Sequence, residues 1–185
     1  MPMPIAVQPT EIPNVLQFEA GIIRDARGYF TELYSRPQLR LHGFRENFVQ
    51  DNLSLSKRGT LRGLHYQLEP HGMGKLVRVL QGRVFDVAVD IRKSSPTYGR
   101  WVGRELDAER GVALWVPVGF AHGFVALEDD TLVMYKCTTH HEPAAERIVR
   151  WNDPRIGVRW PIQPTLIADK DAAAPTLDGA EHNFE

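Results

Sequence analysis

The chain has 185 residues, 43% hydrophobic and 24% charged, with 22 basic and 23 acidic side chains and a formal net charge of −1. That size and balance describe a single globular domain with a substantial core, and they argue against nucleic-acid or membrane-surface binding through bulk charge. One cysteine, Cys137, excludes an internal disulfide framework; there is no apolar run of about 18 residues to span a membrane, and MPMPIAVQPT lacks the basic and apolar regions of a signal peptide, so a cytoplasmic protein is expected.

Along the chain, a short helix is predicted over residues 35–43, SRPQLRLHG, with Ser35 as its cap and Gly43 beyond its end. KLVRVLQG and RVFDVAVDIR flank Gly82 and read as a valine-rich β-hairpin. In the second run Phe85, Val87 and Val89 alternate with Asp86, Ala88 and Asp90. GRWVGREL, GVALWVPV, HGFVALE and TLVMYKCT follow at spacings typical of antiparallel strands. No stretch has a long helical period, so the fold class is all-β, a sandwich or barrel with a few short helices. No repeat, low-complexity segment or linker divides the chain. One domain is expected over residues 1–185, with loose ends at 1–10 and 178–185.

Two segments carry pocket-forming residues. In GTLRGLHYQLEPHGMGKLVRVLQG, His65 and Gln67 stand two apart and face one side of a strand, and Lys75 follows. In GVALWVPVGFAHGF, Gly111, Pro117, Gly119 and His122 are regularly spaced. The spacings resemble the paired motifs of the cupin superfamily, whose fold is a jelly-roll β-barrel. Metal-binding cupins place a glutamate where Lys75 stands. An ammonium repels a divalent ion and has no free lone pair, so a metal set of His65, Gln67 and His122 is the weaker reading and metal-free chemistry is open to the pocket. The same cation can neutralise an oxyanion that forms as a proton leaves the carbon beside a carbonyl. Enolate chemistry of that kind needs a base, for which a neutral imidazole such as His65 is suited, and a carboxylate to orient it, for which Asp169 and Asp171 are candidates. Tyr135, in VMYKCT, is a candidate acid. Against these stand plainer readings: a hydrogen-bonded core histidine at 65, a snorkelling lysine at 75 and a core tyrosine at 135.

Other polar residues read more simply. Cys137, His140 and His141 do not form a full zinc set, His42 and His182 read as surface residues, and the four tryptophans read as packing. Arg58, Arg62, Arg78 and Arg83 alternate with apolar residues, so most read as ordinary solvated strand positions, and only Arg62 is singled out for a site.

DARGYF (25–30), FVQDNLSLSKRGTLRGLHYQ (48–67), GKLVRVLQGRVFDVAVDIRKSSPTYGRW (74–101), LWVPVGFAHGF (114–124), YKCT (135–138), RWNDPRIGVRWP (150–161) and DKDAAAPTL (169–177) together resemble the dTDP-4-dehydrorhamnose 3,5-epimerase family of cupin-type nucleotide-sugar enzymes. The resemblance implies a cofactor-independent isomerase that inverts C3 and C5 of dTDP-4-dehydro-6-deoxy-D-glucose through enolates, giving dTDP-4-dehydro-L-rhamnose. It implies His65 as base, Asp171 as its partner, Tyr135 as acid and Lys75 beside the C4 oxygen. Arg62 and His122 would hold the diphosphate and sugar, and Gln50, Asn52 and Glu146 would lie around the nucleotide. Arg27 and Phe30 would reach the nucleotide from the neighbouring subunit of a homodimer. After YKCT the family reads Asp-Tyr-Tyr, where this chain has Thr139, His140 and His141. His140 is expected at the position of the tyrosine near the sugar, which leaves a mono-epimerase, acting at C3 or C5 only, as the alternative. A metal-dependent cupin enzyme and a non-catalytic nucleotide-sugar binding barrel are the remaining readings.

Overall fold

A computed structural model describes residues 4–185. Its strands, in chain order, are β1 (Ile5–Pro9), β2 (Leu16–Ala20), β3 (Ile22–Asp25), β4 (Gly28–Thr31), β5 (Gln50–Ser56), β6 (Thr60–Gln67), β7 (Lys75–Gln81), β8 (Arg83–Asp90), β9 (Trp101–Asp107), β10 (Val112–Val116), β11 (Phe120–Ala126), β12 (Thr131–Cys137), β13 (Glu146–Ile148) and β14 (Leu166–Ile167). Two short helices are α1 (Arg36–Leu41) and α2 (Asp169–Ala172). One sheet runs β1-β2-β10-β7-β12-β5, and the other runs β13-β6-β11-β8-β9 with β14 added parallel to β6. This is the all-β, cupin-like jelly roll expected from the sequence. Among the described residues, strands β3 and β4 pair only with each other, as a separate two-stranded arm.

The predicted hairpin at Gly82 is corrected. β7 pairs with β10 and β12, whereas β8 pairs with β9 and β11, so the two runs lie in opposite sheets. Gly82, at φ +73°, turns the chain from one sheet into the other, a conformation a side chain would strain. The physical reason is burial on both faces of these strands. Val77 and Val79 of β7 meet Val84 and Ala88 of β8 across the interior, together with Leu106, Leu114, Phe120 and Phe124. The opposite face of β8 is covered too: Val87 and Val89 pack beneath Ile156, Leu177 and Phe184. Alternation therefore marks two buried layers, and Asp86 points into the barrel rather than to water.

The helix at 35–43 forms as predicted, with Ser35 at its N-cap and Gly43, at φ +80°, past its end. Leu39 anchors it against Phe18, Phe44 and Trp115 on the outside of the first sheet. Both terminal stretches carry contacts to the rest of the chain. Residues 1–3 lie outside the described residues, but Ile5–Pro9 pair with Leu16–Ala20. At the other end, the Tyr66 hydroxyl donates to the Glu181 carbonyl, Asn183 Nδ2 donates to the Glu69 carbonyl, and Phe184 is buried against Tyr66. Phe184→Ala is expected to lower the unfolding free energy by about 3 kcal/mol in a denaturant titration, the usual cost of emptying a buried aromatic site; a change near zero would show an undocked tail.

Two further expectations are corrected. Arg78 is buried rather than solvated; it donates to the Gly111 and Leu33 carbonyls, and burial lowers its pKa to about 10. It thereby ties the return of the arm to the first sheet. His182 is buried beside Tyr98, whose hydroxyl lies 3.1 Å from Nε2.

Candidate active site

A cleft opens between the two sheets in two connected lobes. The larger, about 480 Å³, is lined by Arg62, His65, His122, Lys170 and Asp171, and the smaller, about 240 Å³, by Gln50, Asn52, Gln67 and His141. His65, Lys75, Tyr135 and Glu146 line both lobes. Every proposed residue except Arg27, Phe30 and His140 therefore faces this one space.

The base candidate is built by three elements. β6 carries His65, and α2 carries Asp171, whose Oδ1 lies 2.7 Å from His65 Nε2. The other carboxylate oxygen accepts the Gly63 backbone N–H at 3.1 Å. Gly63 is itself required here: at φ +127° it lies so close to β11 that a Cβ would stand 2.5 Å from the Gly123 Cα. Of the two acids left open by the sequence, Asp171 is buried at the site and Asp169 is exposed. Burial pushes the Asp171 pKa up, but the His65 ring, the Gly63 N–H and the Lys170 charge outweigh it and hold the group below the usual carboxylate range. An ionised carboxylate can only accept, so Nε2 of His65 carries the proton and the lone pair lies on Nδ1. Burial lowers the His65 pKa, opposed by Asp171 and reinforced by Lys75. The imidazole is thus neutral at pH 7, as a base must be. The acid limb of kcat/KM is accordingly expected below about pH 6.5, the ordinary imidazole value; a limb above neutrality, measured with a pH-independent buffer series, would contradict this environment.

The opposite wall comes from the other sheet. Lys75 begins β7, and its Nζ lies 3.5 Å from the His65 carbonyl. Burial lowers its pKa. Tyr135, on β12, packs against the barrel interior, and burial raises its pKa, with Cys137 and Glu146 adding to the rise and Arg62 opposing it. A phenol so placed is protonated and can act as an acid. Arg62 donates to Ser56 Oγ and the Leu55 carbonyl, which pins its guanidinium at the rim. Gln50 Nε2 donates to Asn52 Oδ1, and Gln50 Oε1 accepts the His141 N–H. Glu146 accepts from Lys170 at 3.0 Å and stands 3.6 Å from His141 Nε2. Burial raises its pKa, but Lys170 and the nearby histidines outweigh that and lower it overall.

The metal set weighed from spacing is not assembled. Gln67 spends its amide on the His71 and His140 carbonyls and its carbonyl on the Glu142 N–H. Among the described residues no group of three or more His, Cys, Asp or Glu side chains is placed to hold a metal. His140 lines neither lobe, whereas His141 lines the smaller one. The backbone reason is that the His140 carbonyl is turned inward to Gln67, which leaves its side chain exposed and presents the next residue to the cleft. Arg27 and Phe30 sit on the arm, away from this chain's cleft; Arg27 pairs with Asp25 at 2.6 Å and Phe30 is 67% exposed.

Asp86 and Lys170 were not anticipated. Asp86 Oδ1 lies 2.8 Å from His122 Nε2, both groups buried. The signal that could have found it is an acid on the inward face of β8 between Val84 and Ala88. Lys170 is the residue between Asp169 and Asp171 in the ADKD segment from which Asp171 was chosen.

A profile of the dTDP-4-dehydrorhamnose 3,5-epimerase family matches residues 9–179. Among curated relatives, a dTDP-4-dehydrorhamnose 3,5-epimerase of Shigella flexneri is 52% identical over 163 residues, 88% of this chain and 90% of the relative. Among solved structures, a dTDP-6-deoxy-D-glucose-3,5-epimerase of Legionella pneumophila in complex with dTDP-4-keto-L-rhamnose superposes with a TM-score of 0.90 at 43% identity, covering 95% of this chain and 94% of that one. A 3'-monoepimerase of Streptomyces bikiniensis in complex with dTDP-quinovose superposes with a TM-score of 0.87 at 37% identity, covering 92% of this chain and 87% of that one.

Proposed function

The chain belongs to the dTDP-4-dehydrorhamnose 3,5-epimerase family, and from that premise we propose how its cleft converts dTDP-4-dehydro-6-deoxy-D-glucose into dTDP-4-dehydro-L-rhamnose. The observation that carries the reading is the facing of the His65–Asp171 pair and Tyr135 across a cleft that also holds Lys75. The C4 ketone acidifies the hydrogens on C3 and C5. His65 Nδ1 removes one as a proton, and the electron pair moves into the C4 oxygen to give an enolate. The Lys75 ammonium stabilises that oxygen, an interaction stronger in the transition state than in the ground state. Tyr135 returns a proton to the carbon from the opposite face, which inverts it, and His65 and the phenolate exchange protons with solvent before the next turn. The sequence repeats at the second carbon. Electrons and protons balance within the substrate, so the reaction consumes no oxidant or reductant.

Arg62 and His122 suit the diphosphate and sugar, through charge-assisted hydrogen bonds. Gln50, Asn52 and Glu146 suit the nucleotide end, in the smaller lobe. The free, buried Cys137 suits a cytoplasmic setting. We read the chain as one domain, working as a homodimer in which the β3–β4 arm completes the neighbouring site. In support, the arm presents Ile23, Tyr29 and Phe30 to solvent, each more than half exposed, beside the exposed side chain of Arg27. An aromatic face and a guanidinium are the chemistry a thymine and a diphosphate require. Mixing and refolding Arg27→Ala/Phe30→Ala protein with His65→Asn protein tests this. A shared site is expected to restore about a quarter of wild-type activity, because half the dimers are mixed and each holds one intact site. No gain over the separate variants would place the arm outside the site.

The reading at both carbons is tested by trapping the product with borohydride and analysing the sugar. Inversion at C3 and C5 yields 6-deoxy-L-mannose and 6-deoxy-L-talose; untouched substrate yields 6-deoxy-D-glucose and 6-deoxy-D-galactose. Mono-epimerisation is the second reading, and one observation favours it: His141 lines the smaller lobe where the family resemblance has tyrosine. A product inverted at one carbon alone would select it.

A further inference from the structure

We infer that Asp86 is a positioning residue of this site: the buried negative charge against which Lys75 is set, and the carboxylate that fixes the ring of His122. The cleft floor contains two His–Asp pairs side by side. His65 on β6 is the cross-strand partner of His122 on β11, and each ring gives its Nε2 to a carboxylate, Asp171 at 2.7 Å and Asp86 at 2.8 Å. The first pair serves the base. The second is built at evident cost, because Asp86 is fully buried and its Oδ2 has no hydrogen-bond partner. A buried carboxylate oxygen without a partner is destabilising, and its persistence calls for a role.

Geometry supplies the role. Lys75 shares a strand face with Val77 and Val79, and Asp86 shares one with Val84 and Ala88; those four apolar residues meet in the barrel interior. The ammonium and the carboxylate are thus set into the same buried space from opposite sheets. Burial lowers the Lys75 pKa, and Cys137, Asp86 and Glu146 oppose that fall. Cys137 is the register partner of Lys75 on β12, but burial pushes its thiol up, so it is uncharged at neutral pH. Glu146 on β13 is engaged by Lys170. Asp171 on α2 is engaged by His65. Tyr135 on β12 is a neutral phenol, and Lys170 and Arg62 add only positive charge. Asp171 and Asp86 are each engaged by a histidine, but both oxygens of Asp171 are bonded, whereas Asp86 keeps Oδ2 without a partner in the space that the Lys75 side chain enters.

The inference rests on Lys75 as the cation that faces the enolate, so two readouts are used, one of which needs no substrate. The first is a stability cycle on full-length Asp86→Asn, Lys75→Gln and the double variant. If the two charges serve each other, either single change strands the partner, and the double variant is expected to melt about 3 °C or more above the sum of the single effects. Where Asp86→Asn alone does not fold, a folded double variant gives the same answer. Additive losses would overturn the inference. The second is the pH profile of kcat. Activity needs the ammonium, so it is lost as pH rises through the Lys75 pKa. Removing Asp86 lowers that pKa, and the alkaline limb of Asp86→Asn is expected to move to lower pH by about one unit, with activity largely recovered below it. His122→Asn, which removes the ring and leaves the charge, is expected to lose activity without moving that limb. A uniform loss at every pH for Asp86→Asn would show a merely structural carboxylate. A wild-type protein inactive on the sugar nucleotide would sink the proposed function, while the stability cycle would still decide the role of Asp86.

Discussion

His65→Asn is expected to abolish uptake of solvent deuterium at C3 and C5 and to lower kcat by about 10³-fold, the middle of the range for loss of a positioned general base. The size follows from the local structure. Nε2 is committed to Asp171, so the lone pair on Nδ1 is the only basic site the ring offers the substrate. Asparagine can keep the hydrogen bond to Asp171 but has no atom basic enough to take a carbon-bound proton. Binding should survive, since Arg62, Gln50 and Asn52 are untouched. Deuterium uptake retained by this variant, measured by proton NMR, would remove His65 from the role of base. The neighbouring Asp171→Asn should lose less, because a neutral amide can still accept from Nε2 while its charge no longer stabilises the imidazolium.

Lys75→Gln is the second large effect, an expected fall in kcat of about 10²-fold to 10³-fold with KM little changed. The ground-state ketone carries little charge on its oxygen, whereas the enolate carries nearly a full one, so an ammonium beside C4 acts mainly in the transition state. Its part-buried place in the cleft wall strengthens the interaction by limiting access of water. Arginine is not expected to rescue, because a planar fork does not fit a space shaped around a point charge between β6 and β12. A variant that raises KM and leaves kcat intact would place Lys75 at the diphosphate instead.

Much of the cleft was legible in the sequence because its chemistry is written in residue types. A lysine where cupins hold a metal-binding acid already favoured oxyanion stabilisation, and the fold brings it to within reach of His65. What was not legible depends on which strand pairs with which. Gly82 looks like a hairpin turn because Val-rich runs flank it, but a jelly roll uses the same positive-φ turn to pass between sheets, and only the register shows which occurs. That choice also places Asp86, an alternate residue of β8, inside the barrel beside His122. Arg78 and His182 misled for a related reason. Each is polar by type, yet Arg78 is buried where the segment after the arm meets it at Leu33, and His182 where the C-terminal segment docks beside Tyr98, contacts made by residues distant in sequence. The departure at 139–141 was noticed in sequence, but which side chain enters the cleft follows from the Gln67 hydrogen bonds, which fix the His140 carbonyl.

The most direct measurement is proton NMR of the purified wild-type protein with dTDP-4-dehydro-6-deoxy-D-glucose in deuterated water, in the presence of a chelator. Loss of both the C3 and C5 proton signals, with conversion to the L-configured sugar, is the expected result. Neither signal exchanging, with the nucleotide sugar bound, would contradict enolate chemistry in this cleft.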